Sequence, residues 1–243
     1  MFDWALAAGA GLLAGSALLV GALIAWRVDV PRKIVASIMA FGAGVLIATL
    51  SFDLVGEAVT EAGIWPTVWG FATGAVVYVA ANYALDAVNA RNRRGAATDP
   101  GTGTGIAIGA LLDGVPESMV LGLSMVAGNG VSIPVLVAVL ISNIPEGLSS
   151  TAELKSSGRS AKFVFVLWGS IALASALSSL AGYTILADAT PEVTGFITAL
   201  AAGAILAMVT DTMIPDAYRT QHNLTGLFAT VGFLLSFVLS ELV

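Results

Sequence analysis

The sequence predicts an all-α polytopic membrane protein, a single transmembrane domain over 1–243 with eight crossing helices. Three observations carry that expectation. The chain is 57% hydrophobic and only 11% charged, with mean hydropathy +0.92, whereas soluble domains carry about 25% charged residues. Too little polar surface remains to face water, so the lipid bilayer must solvate the outside. Eight apolar stretches each approach the roughly 20 residues that a bilayer-crossing helix needs. The ten basic residues fall only in alternate connections between those stretches.

The first stretch, about 4–26, has no basic leader and is long enough to cross, so it reads as a retained span and not a cleaved signal. Arg27, Arg32 and Lys33 follow it. The second, about 34–59, carries Asp53 and Glu57 toward its far end. The third, about 65–88, leads into a polar, Gly/Thr-rich loop at about 89–103, expected to be mobile, where Arg91, Arg93 and Arg94 stand. The fourth (104–127) and fifth (133–152) each contain a Pro-Glu pair. The sixth (163–186) has no acid, only the hydroxyls of Ser170, Ser175, Ser178 and Ser179. The seventh (193–214) holds Asp211, with Asp216 just past it, and the eighth is 224–242. Lys155, Arg159 and Lys162 follow the fifth span and Arg219 the seventh, while the connections near 61–64, 128–132 and 188–192 contain no base. The positive-inside rule makes the basic loops cytoplasmic. Both termini then face outward, and an odd span count would scramble the alternation. Trp4, Trp26 and Trp65 read as interface anchors, and Gly11/Gly15, Gly42/Gly44 and Gly105/Gly109 as close helix contacts.

Composition also excludes. With no cysteine, disulfides and thiolate ligands are out. The net charge of −6 comes partly from acids inside spans, which points to cation handling. Nucleic acid is not an expected partner, because the bases are scattered in short loops. No enzyme is expected: there is no Ser/His, Cys/His or paired-Asp arrangement, and the one histidine, His222, lies outside the apolar spans.

One short motif recurs four times: Asp53-Leu-Val-Gly-Glu57-Ala, Asp113-Gly-Val-Pro116-Glu117-Ser, Ser142-Asn143-Ile-Pro145-Glu146-Gly and Thr212-Met-Ile-Pro-Asp216-Ala. Each has an oxygen-bearing side chain and, four residues on, a carboxylate. Positions i and i+4 share a helix face, so each segment aims two oxygens the same way. An acid at membrane depth is costly and functional by default. Proline within a span frees a backbone carbonyl that a neighbour or a cavity must satisfy, and Pro116 and Pro145 are expected to kink their helices. The motif occupies spans two, four, five and seven, placed symmetrically about the middle of the chain. That is the signature of an inverted-topology repeat with a midplane site.

At these residues the chain resembles the ZIP (Zrt/Irt-like) family of divalent metal transporters, as a divergent prokaryotic-type member. The family pattern His-Asn-x-Pro-Glu-Gly is approached closely by Ser142-Asn143-Ile144-Pro145-Glu146-Gly147 and loosely by Asp113-Gly114-Val115-Pro116-Glu117-Ser118. The resemblance implies eight helices, a homodimer in the cell (inner) membrane, and a metal site between spans four and five. It also implies alternating access by sliding of a four-helix unit against the rest. Carried over by position, Asp113, Glu117, Ser142, Asn143 and Glu146 are the metal-site residues, with Glu146 matching a glutamate that bridges two metals in some members. Asp53 and Glu57 match an access motif, and Asp211 and Asp216 would continue the path inward. The departures are the lack of any histidine in a span, Gly114 in place of an asparagine, and the absence of a histidine run in the loop at 89–103.

The expected function is therefore import of a divalent cation (zinc, iron or manganese) as cargo, with no resident cofactor. An all-oxygen site suits harder ions such as Mn²⁺, whereas imidazole and thiolate suit zinc, although zinc accepts carboxylates too. Facing carboxylates need a divalent ion or shared protons between them. The alternative is a membrane sensor that binds a metal or proton without transport.

Overall fold

A computed structural model describes residues 3–93, 101–126 and 130–242, and no strand occurs among them. Residues 94–100, the centre of the loop expected at 89–103 and including Arg94, lie outside the described residues, as do 127–129. The α-helices are α1 (Asp3–Arg27), α2 (Arg32–Thr49), α3 (Val55–Ala62), α4 (Ile64–Arg93), α5 (Gly101–Leu123), α6 (Ile133–Ser156), α7 (Ala161–Ile185), α8 (Pro191–Met208), α9 (Ile214–Gln221) and α10 (Thr225–Leu242). A π-turn, Leu50–Leu54, joins α2 to α3, and a second, Val209–Met213, joins α8 to α9.

Among the described residues, seven stretches are long and apolar enough to cross a membrane: α1, Arg32–Ala62, Ile64–Ala87, Gly105–Leu123, α6, α7 and Pro191–Leu242. This is the build of a polytopic membrane protein. The last stretch has 52 residues and doubles back. Its first half, α8–α9, runs antiparallel to α2–α3: Gly195 meets Ala58 and Ala62, Gly42 meets Met213, and Ala40 packs with Ala217. Its second half, α10, runs parallel to α2, because Thr49 bonds Ser236 and Asp53 bonds Ser240. The reversal comes at His222, whose φ of +47° breaks α9. Such a backbone is uncommon outside glycine, with histidine among the residues that tolerate it better than most.

Local chemistry sets the ends. Ser132 Oγ accepts the Val135 N–H to cap α6, and Ser160 Oγ accepts the Phe163 N–H to cap α7. Pro191 opens α8, where its missing N–H costs nothing. Gly63, at φ +78°, ends α3 in a conformation that a side chain would strain. Lys155 Nζ closes α1, lying 3.4 Å from the Ala25 carbonyl and 3.3 Å from that of Trp26, and pairs with Asp29 at 3.3 Å.

Two bundles result. In the first, α1 lies against α6 and α7, and α5 against α7. In the second, α2–α3 lies against α8–α9 and α10, and α4 against α8. Glycine makes these contacts close. A Cβ added at Gly11 or Gly122 would strike the backbone of α7, at Gly147 that of α1, at Gly74 that of α8, and at Gly232 that of α2. This is the small-residue packing of membrane helices, driven by van der Waals contact because lipid already solvates apolar surface. Between the bundles, α2 meets α6 more loosely: a Cβ on Gly42 would stand 3.3 Å from Ser142.

The internal repeat is visible as segment lengths. α2, its π-turn and α3 have 18, 5 and 8 residues, and α8, its π-turn and α9 have 18, 5 and 8 again. In this register Asp53 falls opposite Thr212 and Glu57 opposite Asp216, the alignment that the motif gives.

Candidate metal centre

The two Pro-Glu segments lie on α5 and α6. α6 runs parallel to α1, with Asn143 against Ala14 and Lys155 against Ala25. α7 runs antiparallel to α1, with Ser179 against Ala7 and Gly15 against Ala172. α5 follows α7, because Ser178 reaches Val115 and Gly182 meets Met119. Hence α5 and α6 are antiparallel, and their motifs face each other across the first bundle.

Asp113, Glu117 and Glu146 come within electrostatic reach of one another. Glu117 is 2% exposed, and its Oε2 has no hydrogen-bond partner. Asp113 and Glu146 are half-buried. A buried carboxylate oxygen without a donor is costly, and a cation or proton is what would offset it. Among the described residues, no three histidine, aspartate or glutamate side chains converge as a ready-made cage. The acids are neighbours at a seam, not a closed chelate.

Ser142 and Asn143 are both buried. Asn143 Nδ2 donates to the Ala14 carbonyl at 2.9 Å. Because that carbonyl can only accept, the contact fixes which end of the amide is nitrogen and leaves Oδ1 as the free acceptor. Ser142 Oγ donates to Val139 O at 3.0 Å, which leaves its lone pairs available. Pro116 and Pro145 sit inside α5 and α6, which run unbroken through them. Each proline still withholds an N–H, so the carbonyls of Leu112 and Ile141 lose their helical donors. The Ile141 carbonyl lies against Gly42 at the seam. In the other motif pair, the π-turns Leu50–Leu54 and Val209–Met213 interrupt α geometry.

The remaining sequence-selected acids fall elsewhere. Asp53 is held by Ser240 at 2.7 Å and neighbours Glu57, which neighbours Glu61 in turn; these three climb one face of the α2–α3 rod. Asp211 is exposed on the second π-turn and lies within electrostatic reach of Tyr78. Asp216 pairs with Arg219 at 3.2 Å and lines a cavity of about 730 Å³ between the bundles. That cavity is walled by α1, α2, α6 and α9. Its lining includes Arg32, Lys155 and Arg219, together with Leu148 and Ser149 on α6, which stand within a turn of Glu146 along that helix.

No protein-family profile matches the chain. A protein of Arabidopsis thaliana, provisionally named a zinc transporter, is 30% identical over 224 residues, which is 90% of this chain. The chain spans about a third (34%) of that relative's length.

Tyr78 is the residue that motif reading missed. It is 5% exposed, and its hydroxyl donates to Asp113 Oδ1 at 3.0 Å. Its signal was position: tyrosine belongs at membrane interfaces, and this one stands in the middle of the third apolar stretch.

Proposed function

We propose that the chain is a divalent-cation transporter of ZIP type, carrying its cargo through the oxygen-rich site between α5 and α6. One observation carries the reading: Asp113, Glu117 and Glu146, on antiparallel helices, are electrostatic neighbours at membrane depth, with one buried carboxylate oxygen left without a donor. The named function of the Arabidopsis relative supports zinc among the cargoes. The ion takes a mixed set of carboxylate, hydroxyl and amide oxygens from Asp113, Glu117, Ser142, Asn143 and Glu146. Such a set admits Mn²⁺ and Fe²⁺ beside zinc.

The protein crosses the membrane eight times, with Pro191–Leu242 forming two crossings joined at His222. The basic connections face the cytoplasm, and the first and last helices begin and end on the opposite side. Asp53 and Glu57 offer oxygens on the way in, and Asp211 and Asp216 on the way to the cavity. Alternating access moves the first bundle against the second: glycine contacts lock each bundle internally, whereas the Gly42–Ser142 seam is looser. A homodimer in the cell membrane completes the reading.

Uptake of Mn²⁺ and Zn²⁺ into proteoliposomes tests it. Flux that disappears in both Glu117→Ala and Glu146→Ala supports transport. Binding without flux in the wild-type chain favours a sensor and defeats the transport reading.

A further inference from the structure

One residue of the candidate centre is held from across the seam. Asp113 belongs to α5 in the first bundle and Tyr78 to α4 in the second, yet they share a 3.0 Å hydrogen bond. Of the other long-range bonds described above, Asn143–Ala14, Lys155–Ala25, Ser178–Val115 and Ser179–Ala7 stay within the first bundle and Thr49–Ser236 and Ser240–Asp53 within the second, while Lys155–Asp29 ties α6 to the α1–α2 connection. A partner that bonds one oxygen of a ligating carboxylate fixes its orientation and tunes its affinity. Here that partner belongs to the bundle that does not hold the site.

We infer that Tyr78 is a positioning residue that makes cation affinity depend on the relative placement of the two bundles; the inference rests on the transport reading above. While the bond is made, Oδ1 is committed to Tyr78 and Oδ2 is left for a bare divalent cation. When the bundles shift, Tyr78 stays with α4, Asp113 is free to turn, and the ion is held less tightly. Binding and release are thereby tied to position without any ligand leaving the first bundle.

A double-mutant cycle decides it. Equilibrium binding of Mn²⁺ and Zn²⁺ to the purified full chain, and uptake into proteoliposomes, are measured for wild type, Tyr78→Phe, Asp113→Ala and the double variant. Tyr78→Phe weakens binding by about 10–100-fold, the usual cost of an outer-shell partner. It raises KM by the same factor while the maximal rate stays within about twofold, as expected for a change in binding alone. In the Asp113→Ala background it adds nothing. Unchanged affinity in folded Tyr78→Phe overturns the inference, as does a fall in maximal rate at constant KM or an equal loss without Asp113. If Tyr78→Phe does not fold, Tyr78→Leu, which also lacks the donor, takes its place. A wild-type chain that binds neither ion overturns the transport reading and this inference together. One that binds without flux defeats the transport reading alone, and the binding arms still decide the role of Tyr78.

Discussion

Asn143 on α6 donates its amide hydrogen to the Ala14 carbonyl on α1 at 2.9 Å, inside a buried contact. The same side chain thus ties two helices together and aims one oxygen away from α1. Removing it in Asn143→Ala lowers stability by about 1 kcal/mol, in line with interhelical hydrogen bonds in membranes. Asn143→Asp costs more, because a carboxylate oxygen then faces the carbonyl oxygen. Reversible unfolding in bicelles ranks the two; an Asp variant as stable as wild type contradicts the contact.

Glycine contacts within a bundle and at the seam predict opposite outcomes for one methyl group. Gly74→Ala would drive its Cβ into the Leu200 carbonyl, and backbone cannot yield cheaply, so about 3 kcal/mol of stability is lost. Gly42→Ala, with 3.3 Å to Ser142, costs less than about 1 kcal/mol and slows uptake instead. Stability and flux measured side by side separate these effects.

The carboxylates carry the cargo prediction. Glu146→Ala and Glu117→Gln each reduce uptake by about 100-fold or more, above the range typical of outer-shell changes, while far-ultraviolet circular dichroism stays unchanged. Asp113→His supplies an imidazole and shifts competition between Mn²⁺ and Zn²⁺ toward zinc. A wild-type chain that already favours zinc strongly over Mn²⁺ removes the hard-ion argument.

The chain contains no cysteine, so single cysteines report topology cleanly. Ser149→Cys, in the cavity wall, and Thr220→Cys, beside the His222 reversal, react with an impermeant maleimide from the side of Arg32. Asp188→Cys reacts from the other side. Labelling of Thr220→Cys and Asp188→Cys from one face rules out the crossing of α8–α9.

Much of this was legible in the residues. Hydropathy located most of the long helices to within a few residues, because bilayer thickness and helical rise are local constraints, but α4 and α5 run to Arg93 and from Gly101, into the loop expected at 89–103, and α9 carries the seventh stretch to Gln221. The four-fold motif picked out Asp113 and Glu146 by spacing, and its register anticipated the repeat that the π-turns now display. The turns themselves were not legible: a π-turn depends on how a helix is held by its neighbours, and Leu50–Leu54 has no composition to announce it. Tyr78 was missed for a similar reason, since nothing near it in the chain names its partner 35 residues away.

What the sequence by itself determined was a set of apolar rods, the faces their oxygens occupy, and the alternation of basic connections, all consequences of spacing along one helix. Only the tertiary structure decided which rods pair into which bundle, that Tyr78 reaches Asp113 across the seam, and that the turn expected between the seventh and eighth stretches is made at His222. The pairing of rods rests on close contacts between backbones distant in sequence, where the absence of a Cβ on one side lets a glycine meet the backbone of the other helix.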